Sequence, residues 1–192
     1  MAIKRVYQTL EDRGNRDYVE HNGPFICNRK TAWLGEGYYF WDSFIANAHW
    51  WGLEGAKYSN GYFICESLYD FDELFCFNLV DNPEHLKLFN ETKELMQLKG
   101  LYQSGVTTVA RIIKFIKDTI NVFKYEAIRV YGINSKSFNS PFSNRSIFDS
   151  KNNTKYLDSS PAIQICFYSK TSLNLRDFRI VFPQEYNDDY LV

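Results

Sequence analysis

One short segment, beginning at Gly35, limits the fold of this chain more than any other. Gly35 and Gly37 stand one residue apart and favour a tight turn, because glycine adopts backbone angles that other residues avoid. The aromatic run over residues 38–41 predicts a buried strand. Asp42 or Ser43 can then cap a short helix. The segment therefore predicts a glycine turn, an aromatic strand and a helix in immediate succession.

The order of residues in this segment, Gly-x-Gly-aromatic-Tyr-Phe and then Ala-x-x-aromatic one helix later, resembles the nicotinamide pocket of the ADP-ribosyltransferase superfamily. The likeness is to the diphtheria-toxin and poly(ADP-ribose) polymerase side of that family. There the strand tyrosine stacks on the nicotinamide ring and a second aromatic residue covers the ring's other side. The resemblance assigns these two roles to Tyr39 and Trp50. The NAD-binding residues that it implies in this segment are Gly37, Tyr38, Tyr39, Asn47, Ala48 and Trp50.

Asn47 is a departure, because the family carries a hydroxyl residue at that position. The family also requires a first-strand motif whose His or Arg binds the ribose of NAD and the nicotinamide amide. The matching residues here are Tyr7, Gln8 and Thr9, with Gln8 in place of the histidine. A glutamine side chain can still donate and accept a hydrogen bond there. His21, in the polar loop that follows, is the alternative.

The third family motif is a catalytic glutamate on the strand after a target-binding loop, and Gln164 occupies the matching position. In the family that carboxylate holds a ribose hydroxyl and stabilises the oxocarbenium-like ribose as nicotinamide leaves. The resemblance thus implies Gln164 and Tyr39 as the catalytic residues. A neutral amide keeps the hydrogen bond but loses the charge, which costs roughly 3–4 kcal/mol of transition-state stabilisation. Glu66 and Glu126, both in predicted strands, are the carboxylates that could substitute.

The composition gives no support to several other classes of protein. Lys plus Arg (22) nearly cancels Asp plus Glu (23), so no global field draws the chain to nucleic acid or membrane. The four cysteines are widely spaced in apolar settings, which predicts reduced core residues and a cytoplasmic protein. The chain has no motif for a P-loop, a Rossmann turn, a nucleophile elbow or a zinc protease, so we expect no metal.

The pattern of elements predicts a single α+β domain over residues 1–192. Strands are expected near 3–9, 38–41, 61–69, 74–79, 126–131, 162–168 and 177–182, with a brief strand at 25–27. A helical insert is expected at about 82–123, where Asp81 or Asn82 can cap and Pro83 can begin a helix. A long loop at about 133–160 is the candidate for target recognition. By resemblance, two packed antiparallel sheets form an NAD cleft with helices on the flank.

Three hypotheses about function remain open from the sequence. The first is an NAD-dependent mono-ADP-ribosyltransferase, a toxin or defence effector that modifies a protein or nucleic acid and has an antitoxin partner. The second is an inactive module of the same fold that binds a nucleotide or a partner. The third is an unrelated α+β domain whose aromatic residues only build a core. None of the three involves a membrane.

Overall fold

The computed structural model describes residues 2–30, 32–119, 123–131, 140–149 and 156–186. Seven of the described strands form one mixed sheet, and two short ones form a separate hairpin. The strands of the large sheet are β1 (Ala2–Glu11), β2 (Tyr38–Asp42), β3 (Tyr62–Phe71), β4 (Cys76–Asn78), β5 (Ala127–Tyr131), β8 (Ile163–Phe167) and β9 (Arg176–Phe182). The hairpin consists of β6 (Arg145–Ile147) and β7 (Tyr156–Asp158). The mixed α and β composition is as predicted.

The large sheet has the order β4-β5-β8-β2-β1-β3-β9, and its weakest joint lies between β2 and β1. β1 pairs with β3 over ten residues but with β2 over only two, Val6 with Asp42 and Tyr7 with Trp41. These two pairs join what we expected to be two packed sheets into one. Beyond Tyr7 the two strands stop pairing, so the sheet divides into two halves.

The expectation of purely antiparallel sheets is wrong at β4 and β5, which pair in parallel. A parallel pair needs a crossover connection of a dozen or more residues, and the helical insert supplies it. The insert contains α3 (Pro83–Leu98) and α4 (Val109–Thr119). Asn82 caps α3 as predicted, its side chain accepting hydrogen bonds from the backbone N–H groups of Glu84 and His85. Residues 120–122, at the end of the predicted insert, lie outside the described residues.

The helix after β2, α2 (Ile45–Trp50), begins later than the sequence predicts. Its N-cap residue is Phe44, and no side chain caps it. Asp42 is instead fully buried, and its carboxylate accepts a hydrogen bond from Arg129 Nε at 2.6 Å. Neither expected cap is used: Asp42 pairs with Arg129 on β5, because a buried carboxylate needs such a cation, and the Ser43 hydroxyl donates to Asp42. A π-helical turn (Trp51–Gly55) continues α2.

The remaining elements cover the two faces of the sheet. One face packs against α3 and α4 on one side of the divide and against α2 on the other. The opposite face packs against the first helix, α1 (Arg16–Asn22), and against residues 173–178. The predicted brief strand at 25–27 is reduced to one bridge, between Cys27 and Gly37. Within the described residues, none of the helices is long and apolar enough to cross a membrane.

The hairpin β6–β7 lies inside the segment predicted as a long loop, of which residues 133–139 and 150–155 are outside the described residues. Ser140 Oγ donates to Glu54 Oε1 at 2.9 Å, which attaches this segment to the π-helical turn. The segment therefore contacts the part of the fold next to the divide in the sheet.

We expect Arg129→Met to lower the free energy of unfolding by about 3–5 kcal/mol, because the Asp42 carboxylate would stay buried without its cation. Urea unfolding followed by tryptophan fluorescence measures the change. The matched control is Lys114→Met, which removes an exposed ion pair with Asp118 and should leave the free energy of unfolding nearly unchanged. Similar losses in the two variants would contradict the role given to Arg129.

Candidate functional site

A cavity of about 280 Å³ opens where β1 and β2 stop pairing. Its lining comes from residues 7–10 of β1, 25–29 and 32–33 of the loop that follows α1, and 39–41 of β2, together with Trp51, Tyr58 and Gln164. Aromatic rings and uncharged polar groups make up most of this wall. The volume falls near the lower end of the range for ligand pockets, which run from roughly 300 to 1,000 Å³.

A row of cross-strand neighbours forms one wall of the cavity. Gln164 on β8 is opposite Trp41 on β2, and Trp41 is opposite Tyr7 on β1. Directly opposed residues point to the same face of a sheet, about 4.5–5.5 Å apart at Cβ. Residues from the two halves of the sheet are thereby brought together at the divide.

Gln164 has an unsatisfied hydrogen-bond acceptor. The residue is 7% exposed, and its Oε1 atom is buried with no hydrogen-bond partner. A buried polar atom without a partner costs roughly 1–3 kcal/mol, so native proteins rarely leave one without a reason. The oxygen is closed to a water-sized group as it stands, so a ligand with an N–H or O–H group would satisfy it only after the Gln164 side chain turns the oxygen toward the cavity.

Gln8 also lines the cavity, but its amide is already occupied. Gln8 Nε2 donates to the carbonyl oxygen of Phe25 at 2.8 Å and to that of Tyr39 at 3.3 Å. Its Oε1 accepts from the Phe25 N–H at 2.9 Å. The side chain thus bridges β1, β2 and the loop at the point where the strands separate. The structure gives Gln8 a role in shaping the wall, which differs from the free ligand contact implied by the resemblance.

Tyr39 lines the cavity while its hydroxyl holds the glycine turn. The hydroxyl donates to the Gly35 carbonyl at 2.6 Å and accepts from the Leu34 N–H at 2.8 Å. Burial raises the pKa of the Tyr39 phenol well above its usual value. Tyr38 points to the opposite face, where it packs against the core around Phe40, and it does not line the cavity.

The three α2 residues selected by the resemblance lie outside the cavity lining. Asn47 is fully buried, and its Nδ2 donates to the Pro161 carbonyl at 3.0 Å. Ala48 is buried beneath Thr9, whose hydroxyl donates to the Ala48 carbonyl. Trp50 is 4% exposed and packs edge-on against Trp41. These contacts attach α2 to the sheet.

The next residue, Trp51, lines the cavity in the place that we expected Trp50 to take. Trp51 keeps α-helical backbone angles, so its side chain lies about 100° around the helix axis from that of Trp50. The π-helical turn that begins at Trp51 was not predicted from the sequence. Arg29 and Trp33 also line the cavity and were not predicted. Gly35 and Gly37 predicted a tight turn close to these residues, but gave no indication of which side chains point into the cavity.

Gly37 is required for close packing rather than for a ligand contact. A Cβ atom at this position would lie 2.4 Å from Cys166 Sγ and 2.7 Å from the Phe167 carbonyl oxygen. Its backbone N–H and carbonyl also exchange hydrogen bonds with Cys27. Gly37 therefore lets the loop, β2 and β8 approach one another beside the cavity.

No carboxylate lines the cavity among the residues that the structure describes. Glu66 follows Tyr7 in the cross-strand row, which places it three strands from Gln164, about 14 Å at the usual strand spacing. It pairs there with Arg5 and Arg179. Glu66 therefore cannot take the place of the missing glutamate at Gln164.

Two further candidates from the sequence are also away from the cavity. Glu126 accepts a hydrogen bond from the Leu173 N–H at 2.7 Å. His21 is exposed near the end of α1, where its Nδ1 contacts the Asp17 carbonyl oxygen. In the described part of the chain, His, Cys, Asp and Glu side chains form no group able to hold a metal ion.

Comparison of the chain with models of known protein families, with curated proteins and with solved structures gives no match. The cavity and the residues around it therefore carry the functional inference. The most informative of these residues are Gln164, whose acceptor is unsatisfied, and Tyr39 and Trp51, which supply aromatic walls.

We expect Gln8→Ala to lower the free energy of unfolding by about 1–3 kcal/mol, because the N–H and carbonyl groups of Phe25 would lose their partners. Chemical denaturation measures the loss, and faster exchange of the Phe25 amide proton locates it. Gln97→Ala, at an exposed position of α3, is the matched control. An unchanged Phe25 exchange rate in Gln8→Ala would contradict the bridging role.

Proposed function

We propose that this protein binds NAD in the cavity between β1 and β2 and transfers ADP-ribose to a macromolecular acceptor. One observation carries the proposal. Of the ten site residues that the resemblance implies, five line the same cavity, and they come from three separate segments of the sequence: Tyr7, Gln8, Thr9, Tyr39 and Gln164. The neighbouring strands β1, β2 and β8 bring these five residues together.

The chemistry of the wall supports a ligand with a planar ring and hydrogen-bond donors. Tyr39, Trp41 and Trp51 offer aromatic surface to such a ring. Once the Gln164 side chain turns its unpaired oxygen toward the cavity, that oxygen accepts a hydrogen bond from a ribose hydroxyl of NAD. Arg29 is the cation in the lining and suits the diphosphate.

The proposed reaction breaks the bond between C1′ of the nicotinamide ribose and the ring nitrogen. The electron pair of that bond leaves with nicotinamide, and a nucleophile of the acceptor forms the new bond to C1′ and gives up its proton to solvent. Positive charge develops on the ribose during this step, and a carboxylate would stabilise it. Gln164 orients the ribose without supplying charge, so the reaction we propose is slow.

A second function, binding of NAD without turnover, is favoured by the absence of a carboxylate from the described cavity lining. In this alternative the same residues hold the dinucleotide, and the module acts through the complex. The two functions share the ligand and differ in whether nicotinamide is released.

The biological role that we propose is that of a toxin or defence effector controlled by an antitoxin. It rests on the resemblance to the diphtheria-toxin side of the superfamily and on the size of the chain, 192 residues, and not on the cavity itself. Growth arrest on expression, relieved by Gln164→Leu, is the outcome that this role requires.

We expect saturating NAD to raise the melting temperature of the wild-type protein, because a ligand at 100 times its Kd stabilises the folded state by about 2.7 kcal/mol. Gln164→Leu should lose this shift, since leucine fills the same space without an acceptor. Gln97→Leu on the surface of α3 is the matched control and should keep it. An equal shift in the two variants would place NAD somewhere else.

We expect Gln164→Glu to release nicotinamide from NAD about 100- to 1,000-fold faster than wild type, because it adds the anion missing beside the ribose. Chromatographic measurement of nicotinamide follows both proteins. Release by wild type supports the transferase, and a wild-type thermal shift with release only from Gln164→Glu supports binding without turnover. No release from either protein, together with no thermal shift, would contradict both functions.

A further inference from the structure

We propose that the acceptor is a single-stranded nucleic acid, one base of which stacks on Trp33 at the mouth of the cavity. The transfer step rests on the function proposed above, whereas binding of the strand does not and is measured without NAD. The inference names the class of macromolecule that the site modifies.

Trp33 is a large aromatic side chain left 42% exposed beside the cavity, where it also forms part of the lining. It is the outer member of three tryptophans that lead from the core to the surface. Trp41, 3% exposed, packs against Trp51 with ring centroids 6.1 Å apart, and Trp51 packs edge-on against Trp33 at 6.0 Å. The near-perpendicular contact, with an interplanar angle of 81°, leaves at least one face of the Trp33 ring free of Trp51. A free indole face is what a nucleic-acid base stacks upon.

The loop that carries Trp33 is fixed at its base. Cys27 and Gly37 exchange two backbone hydrogen bonds, at 2.8 and 3.2 Å, which close the loop between them. Tyr39 Oη accepts from the Leu34 N–H, the residue next to Trp33. The backbone beside Trp33 is thereby fixed before any ligand arrives, which reduces the entropy lost on stacking.

The charge beside Trp33 suits a phosphate backbone. Arg29 is the one charged side chain of the cavity lining within the described residues, and the exposed Lys30 follows it. Glu36 is the acidic residue of the same loop, so the loop is locally positive in a chain of net charge −1. An aromatic platform next to cations is the usual arrangement for single strands, whose bases are free to stack. In a duplex the base faces are covered by neighbouring pairs and cannot reach Trp33.

Stacking of a base at the mouth places its edge next to the ribose of a bound NAD. A nitrogen or hydroxyl nucleophile of that nucleotide then forms the bond to C1′ as nicotinamide leaves with the electron pair, and its proton passes to solvent. The cavity thus binds NAD, the donor of ADP-ribose, and Trp33 at its mouth binds the nucleic acid that accepts it.

Binding is tested by fluorescence anisotropy with labelled single-stranded RNA and DNA of mixed sequence at low salt, without NAD. We expect Trp33→Ala to weaken binding about 5- to 150-fold, the range that corresponds to 1–3 kcal/mol of stacking per base. Trp33→Phe should recover most of the affinity, because it restores an aromatic face. The matched control is Phe75→Ala, an aromatic side chain 40% exposed at the β4 edge of the sheet. No binding by wild type, or an equal loss in Phe75→Ala, would overturn the proposal.

The charge contribution is tested by the salt dependence of the same binding. We expect Arg29→Ala to reduce the slope of log affinity against log salt by about 0.7, the value for one phosphate contact on a single strand. Arg111→Ala, on the exposed surface of α4, should leave the slope unchanged. Equal slopes for wild type and Arg29→Ala would remove the phosphate contact from the proposal.

Transfer is tested with labelled NAD, the Gln164→Glu protein, an oligonucleotide and a cell lysate. Label on the oligonucleotide that is lost in Trp33→Ala supports the inference, and label on proteins alone overturns it. If the strand binds through Trp33 but no nicotinamide is released, the transferase function fails while the binding surface stands. If nicotinamide is released but the oligonucleotide does not bind, the nucleic-acid surface fails while the NAD reaction stands.

Discussion

The buried carboxylate of Asp42 is the interaction on which the two halves of this sheet depend. Arg129 on β5 reaches across β8 and donates a hydrogen bond to this carboxylate at 2.6 Å. The hydroxyl of Tyr69 on β3 reaches across β1 and donates a second one at 3.4 Å. Asp42 also belongs to one of only two residue pairs between β1 and β2. The strands separate immediately beyond this joint, and Gln8 spans the gap. A cavity can form there because the sheet is held together on one side of it.

The cavity combines aromatic walls with few charges, and this combination decides what it can do. A partly enclosed wall that is neutral apart from Arg29 suits a planar ring, and the unpaired oxygen of Gln164 suits a hydrogen-bond donor once the side chain turns it toward the cavity. The same neutrality limits catalysis, because nothing in the described lining stabilises positive charge on a ribose. We therefore propose NAD binding with slow chemistry, or with none. We further propose that Trp33 and Arg29 contact a second, larger partner at the mouth of the cavity.

The local elements of the fold could be predicted from the sequence because their signals are local. Asn82 and Pro83 marked the start of α3, and the aromatic run marked β2. Long-range pairing could not be predicted in the same way. Nothing near Asp42 in the sequence indicates that Arg129 will bind it. Asp42 was expected as a possible helix cap, but it forms a buried ion pair with Arg129 instead. The joining of the halves into one sheet likewise rests on two residue pairs whose register is set by tertiary packing.

The residues of the candidate site likewise fall into those that could be predicted from the sequence and those that could not. Tyr39 and Gln164 were selected from the sequence and line the cavity, whereas Trp50 is buried against Trp41 and the next residue, Trp51, lines the cavity instead. Hydrogen exchange measured with and without NAD tests the central claim most directly. The account predicts slower exchange in residues 25–30 and 39–42 on NAD binding, with β4 and α3 unchanged. No change at the cavity, or protection confined to β4 and α3, would contradict it.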